Sequence, residues 1–277
     1  MRPPRFAFFL LASVLSAASG VAAAQTLLPH RAVYDLALSE ASDESDIDAM
    51  NGRWVFEFAG SECEGYTLKS RIVMRFDMAG GPRLIDQRVT SFEDPKGETF
   101  RFVTKSFVDE NLESEVAGTA RREEEGTVIA YDEPEEAERR FASVLFPTGQ
   151  LRELLDKARA GENFYESAIF DGTEFAEQPV MISVVVGRPK PVESDDPERK
   201  VLGDLAEDTF MPVTAAYFDG SAKDGEEISD YNVSFKLHES GVQRDMLIRY
   251  PDYSMTAKLV NLDLQAEQEA CEAENAR

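Results

Sequence analysis

Residues 66–78 read YTLKSRIVMRFDM. Tyr66, Leu68, Ile72, Met74, Phe76 and Met78 share one parity, interrupted only by Ser70. Thr67, Lys69, Arg71, Arg75 and Asp77 share the other, with Val73 as its single apolar member. Successive side chains of a strand point to opposite faces, so the stretch reads as one β-strand with a dry face and a wet face. At ~3.3 Å per residue it reaches roughly 40 Å, and a strand of that length must twist and curl.

The same alternation recurs on both sides. It appears upstream in WVFEF, with Trp54, Phe56 and Phe58 in phase, and downstream in TFRFVTKSFV, with Phe100, Phe102 and Val108. It returns in VMISVVV (180–186), YNVSFKL (231–237), VQRDMLIRY (242–250) and YSMTAKLVNLDL (253–264). Gly80-Gly81-Pro82, Asp94-Pro95-Lys96-Gly97 and Glu239-Ser240-Gly241 supply turn chemistry between such segments. About a dozen candidate strands in this rhythm predict an antiparallel meander.

One segment departs from period two. In LFPTGQLRELLDKARAGE, Leu151, Leu154, Leu155 and Ala158 follow helical spacing. Thr148 is placed to cap the start and Gly161 to end it, with Lys157 and Arg159 in the last turn, where cations suit the helix dipole. The spacing predicts an amphipathic helix over about 149–160, packed on the concave face of the curled sheet or covering a ligand cavity there. The polar stretches 39–52, 123–126, 132–140 and 188–200 read as solvated loops, the last being either a linker or an excursion at a barrel rim. Asp-Gly turns at Asp171-Gly172 and Asp219-Gly220 each read as a hairpin between strands.

The N-terminus carries an export signal. Arg2 and Arg5 precede an apolar run from Phe6 to Leu15, and Ala22-Ala23-Ala24 fits a cleavage site before Gln25. The run is too short to span a bilayer. Residues 1–24 are therefore read as a signal peptide and 25–277 as a single domain in the periplasm. The formal charge is -24, and loss of the two leader arginines takes it to -26. Such a charge opposes nucleic-acid binding and attraction to anionic membranes. A single tryptophan and a charged, non-strand C-terminus oppose a transmembrane barrel. A monomer or weak dimer is expected.

No enzymatic signature emerges. The only histidines are His30 and His238, each read as a surface or strand-end residue. No G-x-S-x-G or S-x-x-K is present, nor a phosphate loop or dinucleotide fingerprint. Asp219 to Glu226 gathers oxygen ligands, but Lys223 stands where a calcium loop needs a ligand. No catalytic residue, metal site or cofactor is expected, although a carboxylate pair acting on cell-wall glycans is compatible with 53 acidic residues. The aromatic and methionine side chains of the dry face, Trp54, Phe56, Phe58, Met74, Phe76 and Met78, suit either an apolar ligand or a self-filled core. In an exported chain two cysteines admit one intramolecular pairing, Cys63 with Cys271, worth roughly 5 kcal/mol in the chain-entropy model. Two free thiols and an intermolecular bridge are the alternatives.

LLPHRAVYDLAL (27–38), GSECEGYT (60–67), SVLFPTGQL (143–151) and the late Cys271 together give the whole mature chain a resemblance to the bacterial cell-envelope integrity protein EipB family. The resemblance implies a mainly β fold: a long antiparallel sheet wound into an open spiral or barrel around an amphipathic helix, similar to periplasmic lipid- and lipoprotein-carrier folds. It implies a disulfide between Cys63 and Cys271. It also implies a non-enzymatic role in envelope integrity and stress resistance. The expected route to that role is binding of a lipid-like ligand or an envelope protein partner, with a scaffold for envelope and cell-wall machinery as the alternative.

Overall fold

The computed structural model describes residues 27–219 and 228–265. The leader with its cleavage site, most of the Asp219–Glu226 loop and Cys271 lie outside them.

The chain lays down β1 (His30–Ala41), β2 (Ile47–Ser61), β3 (Gly65–Met78), β4 (Arg83–Glu93), β5 (Thr99–Val108), β6 (Asn111–Glu123), β7 (Gly126–Glu133) and β8 (Ala137–Phe141). Helix α1 (Pro147–Ala160) follows. The second half contributes β9 (Phe164–Ile169), β10 (Val180–Val186), β11 (Lys190–Pro191), β12 (Thr209–Asp219), β13 (Tyr231–His238), β14 (Gln243–Arg249) and β15 (Tyr253–Leu264). All fifteen belong to one sheet, in the order β8 to β1, then β15, β14, β13, β12, β10, β9, with β11 added on β12. Every pairing between these strands is antiparallel, so each half is a meander.

The halves are joined where β1 pairs with β15, from His30 opposite Leu264 to Ala41 opposite Tyr253. First and last strands are thus central, and the edges are β8 and β9, which flank the helix in sequence. The edges are not hydrogen-bonded to each other, so the sheet is open. Leu145, in the segment leading to α1, bridges to β9: its N–H donates to the Ala168 carbonyl and its carbonyl accepts from Phe170 N–H, both at 2.9 Å.

A twisted sheet of more than about ten strands must curl. Here β2 and β3 face β10, β12 and β13 across one interior with α1 between them. YTLKSRIVMRFDM lies in β3, and its parity holds: Tyr66 and Phe76 are buried, while Lys69, Arg71 and Arg75 are exposed. Ser70, the one break in the dry phase, accepts a hydrogen bond from Trp54 Nε1 at 2.8 Å. On the wet face Arg71 stands opposite Arg88, a repulsive register alone. Asp86 relieves it by pairing with both, at 2.8 and 2.7 Å, and the two guanidiniums offset its partial burial and hold its carboxyl down to about 2.

A second apolar cluster lies under β5 to β8, built on Phe100, Phe102, Phe141, Phe146 and Phe170. The loop after β9 closes it. Gly172 is required there, because it has φ +71 and a side chain would meet the Phe102 ring at 2.5 Å.

Helix α1 begins two residues before the expected start, with Pro147 in its first turn, and its cap is not Thr148. Phe146 holds the N-cap position without a side-chain bond. The cap comes from β4: Thr148 and Gly149 donate their N–H groups to Glu93 Oε2 and Oε1, at 2.8 and 3.1 Å. Glu93 is 5% exposed, and burial pushes its carboxyl up, against the lowering effect of these N–H donors. The C-terminal end is as expected, with Gly161 in the left-handed region and Lys157 and Arg159 in the last turn.

Several polar stretches are more ordered than their composition suggests. Residues 47–52 belong to β2, with Met50 buried, and 137–140 form most of edge strand β8. Asp171-Gly172 does not make a tight hairpin, since ten residues separate β9 from β10 and Phe170 is buried among them. The 188–200 segment is an excursion of the fold and no linker. It pairs through β11 and drives Asp196 and Glu198 inward onto Arg244, which is 0% exposed. Arg244 Nη1 lies 2.9 Å from Asp196 Oδ2 and 3.1 Å from Glu198 Oε2, and Nε donates to His238 Nε2 at 2.9 Å. Glu198 also accepts the Leu259 N–H at 2.7 Å, tying the excursion to β15. Both histidines lie at strand ends, but neither is on the surface: His30 and His238 are 3% and 0% exposed.

Two predictions follow from these contacts. Glu93→Ala leaves two helix N–H groups buried without acceptors and lowers stability by about 1–3 kcal/mol in urea unfolding, with Glu93→Gln costing less. Equal stability of wild type and Glu93→Ala would refute the tertiary cap. The second concerns pH. His238 accepts from Arg244 and must be neutral, and burial and the Arg244 charge push its pKa below 6.5. Its contribution is therefore fully present above pH 6.5 and is lost as pH falls below it, by at most ~1.4 kcal/mol per pH unit. Unfolding midpoints between pH 7.5 and 5.5 are expected to fall more steeply for wild type than for His238→Gln; parallel curves would contradict this.

Candidate ligand cavity

The interior holds a cavity of about 160 Å³ between α1 and the inner face of the sheet. β2 contributes Phe56 and Phe58, and β3 contributes Leu68. Leu151 and Leu154 project from α1 at the spacing seen in the sequence. The opposite wall comes from Val184 on β10, Val213 and Ala215 on β12, and Phe235 on β13. A smaller lobe of about 60 Å³ adjoins it, sharing Phe56, Phe58, Leu151 and Gln243 and adding His30, Tyr34, Trp54 and Met246.

Polar groups are few, and most are internally bonded. His30 Nδ1 lies 2.7 Å from the Leu28 carbonyl, and burial pushes its pKa down, so the ring is a neutral donor. Tyr34 donates to the Gln243 carbonyl at 2.6 Å. Tyr217 and Gln150 also line the larger lobe. Tyr165, on β9, is 7% exposed and its hydroxyl has no hydrogen-bond partner. Among the described residues no carboxylate, lysine or arginine lines either lobe. Among the described residues no group of three or more His, Cys, Asp or Glu side chains could hold a metal ion.

The chemistry of the cavity is that of an uncharged apolar pocket. An apolar cavity of 150 Å³ suffices for benzene, whereas drug-sized ligands need ~300–1,000 Å³. The volume fits a small molecule or the end of one chain and is too small for a whole lipid. The buried carboxylates that a glycosidase reading would consider are otherwise engaged: Glu93 caps α1, and Asp196 and Glu198 hold Arg244.

Of the dry-face residues picked out in the sequence, Trp54, Phe56 and Phe58 reach the cavity. Met74, Phe76 and Met78 pack in the main core away from it, with the Phe76 ring edge-on to Tyr253 at 6.0 Å. Cys63 is exposed in the turn between β2 and β3, where Ser61 Oγ accepts its N–H at 3.3 Å, and Cys271 lies outside the described residues. Sequence reasoning missed Tyr165, Tyr217, Val184, Val213 and Ala215. The strand of Val184 was legible and the Asp-Gly turns implied strands before Asp171 and Asp219, but the meeting of these residues with β2 depends on the curl. Arg244 did leave a signal, since it shares parity with Met246 and Ile248 on β14, so a cation occupies an apolar phase.

Comparison with known proteins agrees with this architecture. Residues 21–266 match the family model described as EipB-like. The chain is 45% identical over 258 residues to the cell envelope integrity protein EipB of Brucella abortus (strain 2308), covering 92% of this chain and 90% of that protein. It is also similar to a crystal structure from Brucella abortus described as a beta-barrel-like protein of a domain of unknown function. There the TM-score is 0.81 and the identity 44%, over 87% of this chain and 99% of the other. The chain therefore belongs to the EipB-like family and is a homologue of the cell envelope integrity protein EipB.

Proposed function

We propose that the protein supports envelope integrity without catalysis, as a periplasmic binder of a small apolar ligand or of one chain end of a lipid-like molecule. The observation that carries this reading is the interior cavity of about 160 Å³ with its uncharged aromatic and aliphatic lining. A core meant only for packing gains nothing by leaving such space, because interiors are close-packed and voids cost stability. In this reading the leader is cleaved after Ala24, the mature chain is a monomer or weak dimer, and neither nucleic acid nor stable membrane insertion is involved.

Native mass spectrometry of the protein purified from its own periplasm tests the reading. A bound mass that organic extraction removes is expected for wild type. Ala215→Leu, which fills the cavity, is expected to stay folded and to emerge bare. A bare wild-type mass would sink the proposal and favour a second reading, a scaffold for envelope machinery. That alternative rests on the outer face beside edge strand β9, where Phe164 and Val185 are paired across strands and are 60% and 52% exposed. Exposed apolar groups adjoining an open sheet edge suit protein docking.

We further propose that Cys63 and Cys271 form one intramolecular disulfide, which would fasten the tail to the turn between β2 and β3. Thiol titration of the denatured, unreduced protein should find no free thiol, with a monomeric mass on a non-reducing gel. Two titratable thiols, or a reducible dimer, would refute the pairing.

A further inference from the structure

We infer that the cavity selects neutral ligands bearing a hydrogen-bond-accepting oxygen, such as an alcohol, ketone or ester, and that the Tyr165 hydroxyl recognises that oxygen. This rests on the cavity being a ligand site. Tyr165 is held on β9 opposite Val184, and both side chains line the larger lobe. Its ring is buried and its hydroxyl is unpartnered, unlike that of Tyr34 nearby. A buried hydroxyl without a partner is costly to a fold, and a ligand oxygen supplies what the protein does not. The group is available as a donor, since burial and the neighbouring Glu153 charge disfavour the phenolate.

The surroundings exclude charged ligands. An anionic head group needs a cation, and none of the described residues lining the cavity is one. Lys157 Nζ lies 6.0 Å from the centre of the Tyr165 ring but is paired with Glu162 at 2.7 Å. Glu153, which accepts a hydrogen bond from Ser167, adds negative potential on the same side. A cationic ligand would find no carboxylate among the described residues of the wall. A neutral oxygen on an apolar body is what remains.

The experiment compares cyclohexanone with toluene, similar in size but differing in acceptor oxygen, and with cyclohexanecarboxylate as the anion. Binding to delipidated wild type and to Tyr165→Phe is measured by NMR titration, with thermal unfolding of both proteins alongside. Tyr165→Phe is expected to weaken cyclohexanone roughly three- to tenfold, to leave toluene unchanged or slightly tighter, and to keep or raise the wild-type midpoint. Cyclohexanone weakened no more than toluene would overturn the role of Tyr165 while leaving the cavity reading intact. Cyclohexanecarboxylate binding wild type as well as cyclohexanone does would overturn the preference for neutral ligands. A midpoint lowered by several degrees in Tyr165→Phe would show that the hydroxyl already has a partner, and would overturn the inference. No binding of any probe to wild type would sink both this inference and the cavity reading.

Discussion

The Glu93 carboxylate at the start of α1 is the contact on which the interior depends. A helix buried at its N-terminus brings unpaired N–H groups into a region without water, and each must find an acceptor. The segment around 146–149 has no side chain that does this, because Phe146 occupies the cap position. Glu93, at the end of β4, supplies both oxygens from more than fifty residues away in sequence. That contact fixes the depth of α1 in the curled sheet. The helix in turn sets the volume of the cavity, since Leu151 and Leu154 form one of its walls.

The order of the strands makes such an interior possible. Placing β1 against β15 puts the ends of the described domain at the centre of the sheet and the middle of the chain at its open edges. The helix therefore enters from the seam between those edges, where Leu145 bonds to β9 while Glu93 reaches the following turn. The sheet remains open there, and an edge is a natural place for movement or docking.

A second fixed point lies in the C-terminal half. Arg244, Asp196, Glu198 and His238 form a buried polar network whose members come from the 188–200 excursion, β13 and β14. The ring of Phe210 packs against the guanidinium, 5.2 Å from its centre. Burying charges is unfavourable unless they are paired, so the network imposes one arrangement of the excursion. This explains why a proline- and charge-rich stretch, which resembles a linker by composition, is part of the folded body.

Sequence alone determined the kinds of element, though not the strand residues at 47–52 and 137–140. Period two in YTLKSRIVMRFDM and its relatives specified antiparallel strands with one dry face, since strand geometry forces that alternation. The spacing of Leu151, Leu154 and Leu155, with Gly161 after them, specified helix α1. GSECEGYT and SVLFPTGQL pointed to the family. Only the tertiary structure decided what those faces enclose. Alternation places Phe56 and Tyr165 on inner faces but cannot bring β2 near β9, which sit seven steps apart in the sheet and meet only because it curls. The Glu93 cap, the inward turn of Asp196 and Glu198, and the unpartnered Tyr165 hydroxyl are likewise long-range events. Local propensity carries no information about them, because each is set by how much space and how many polar partners the rolled sheet leaves around a side chain.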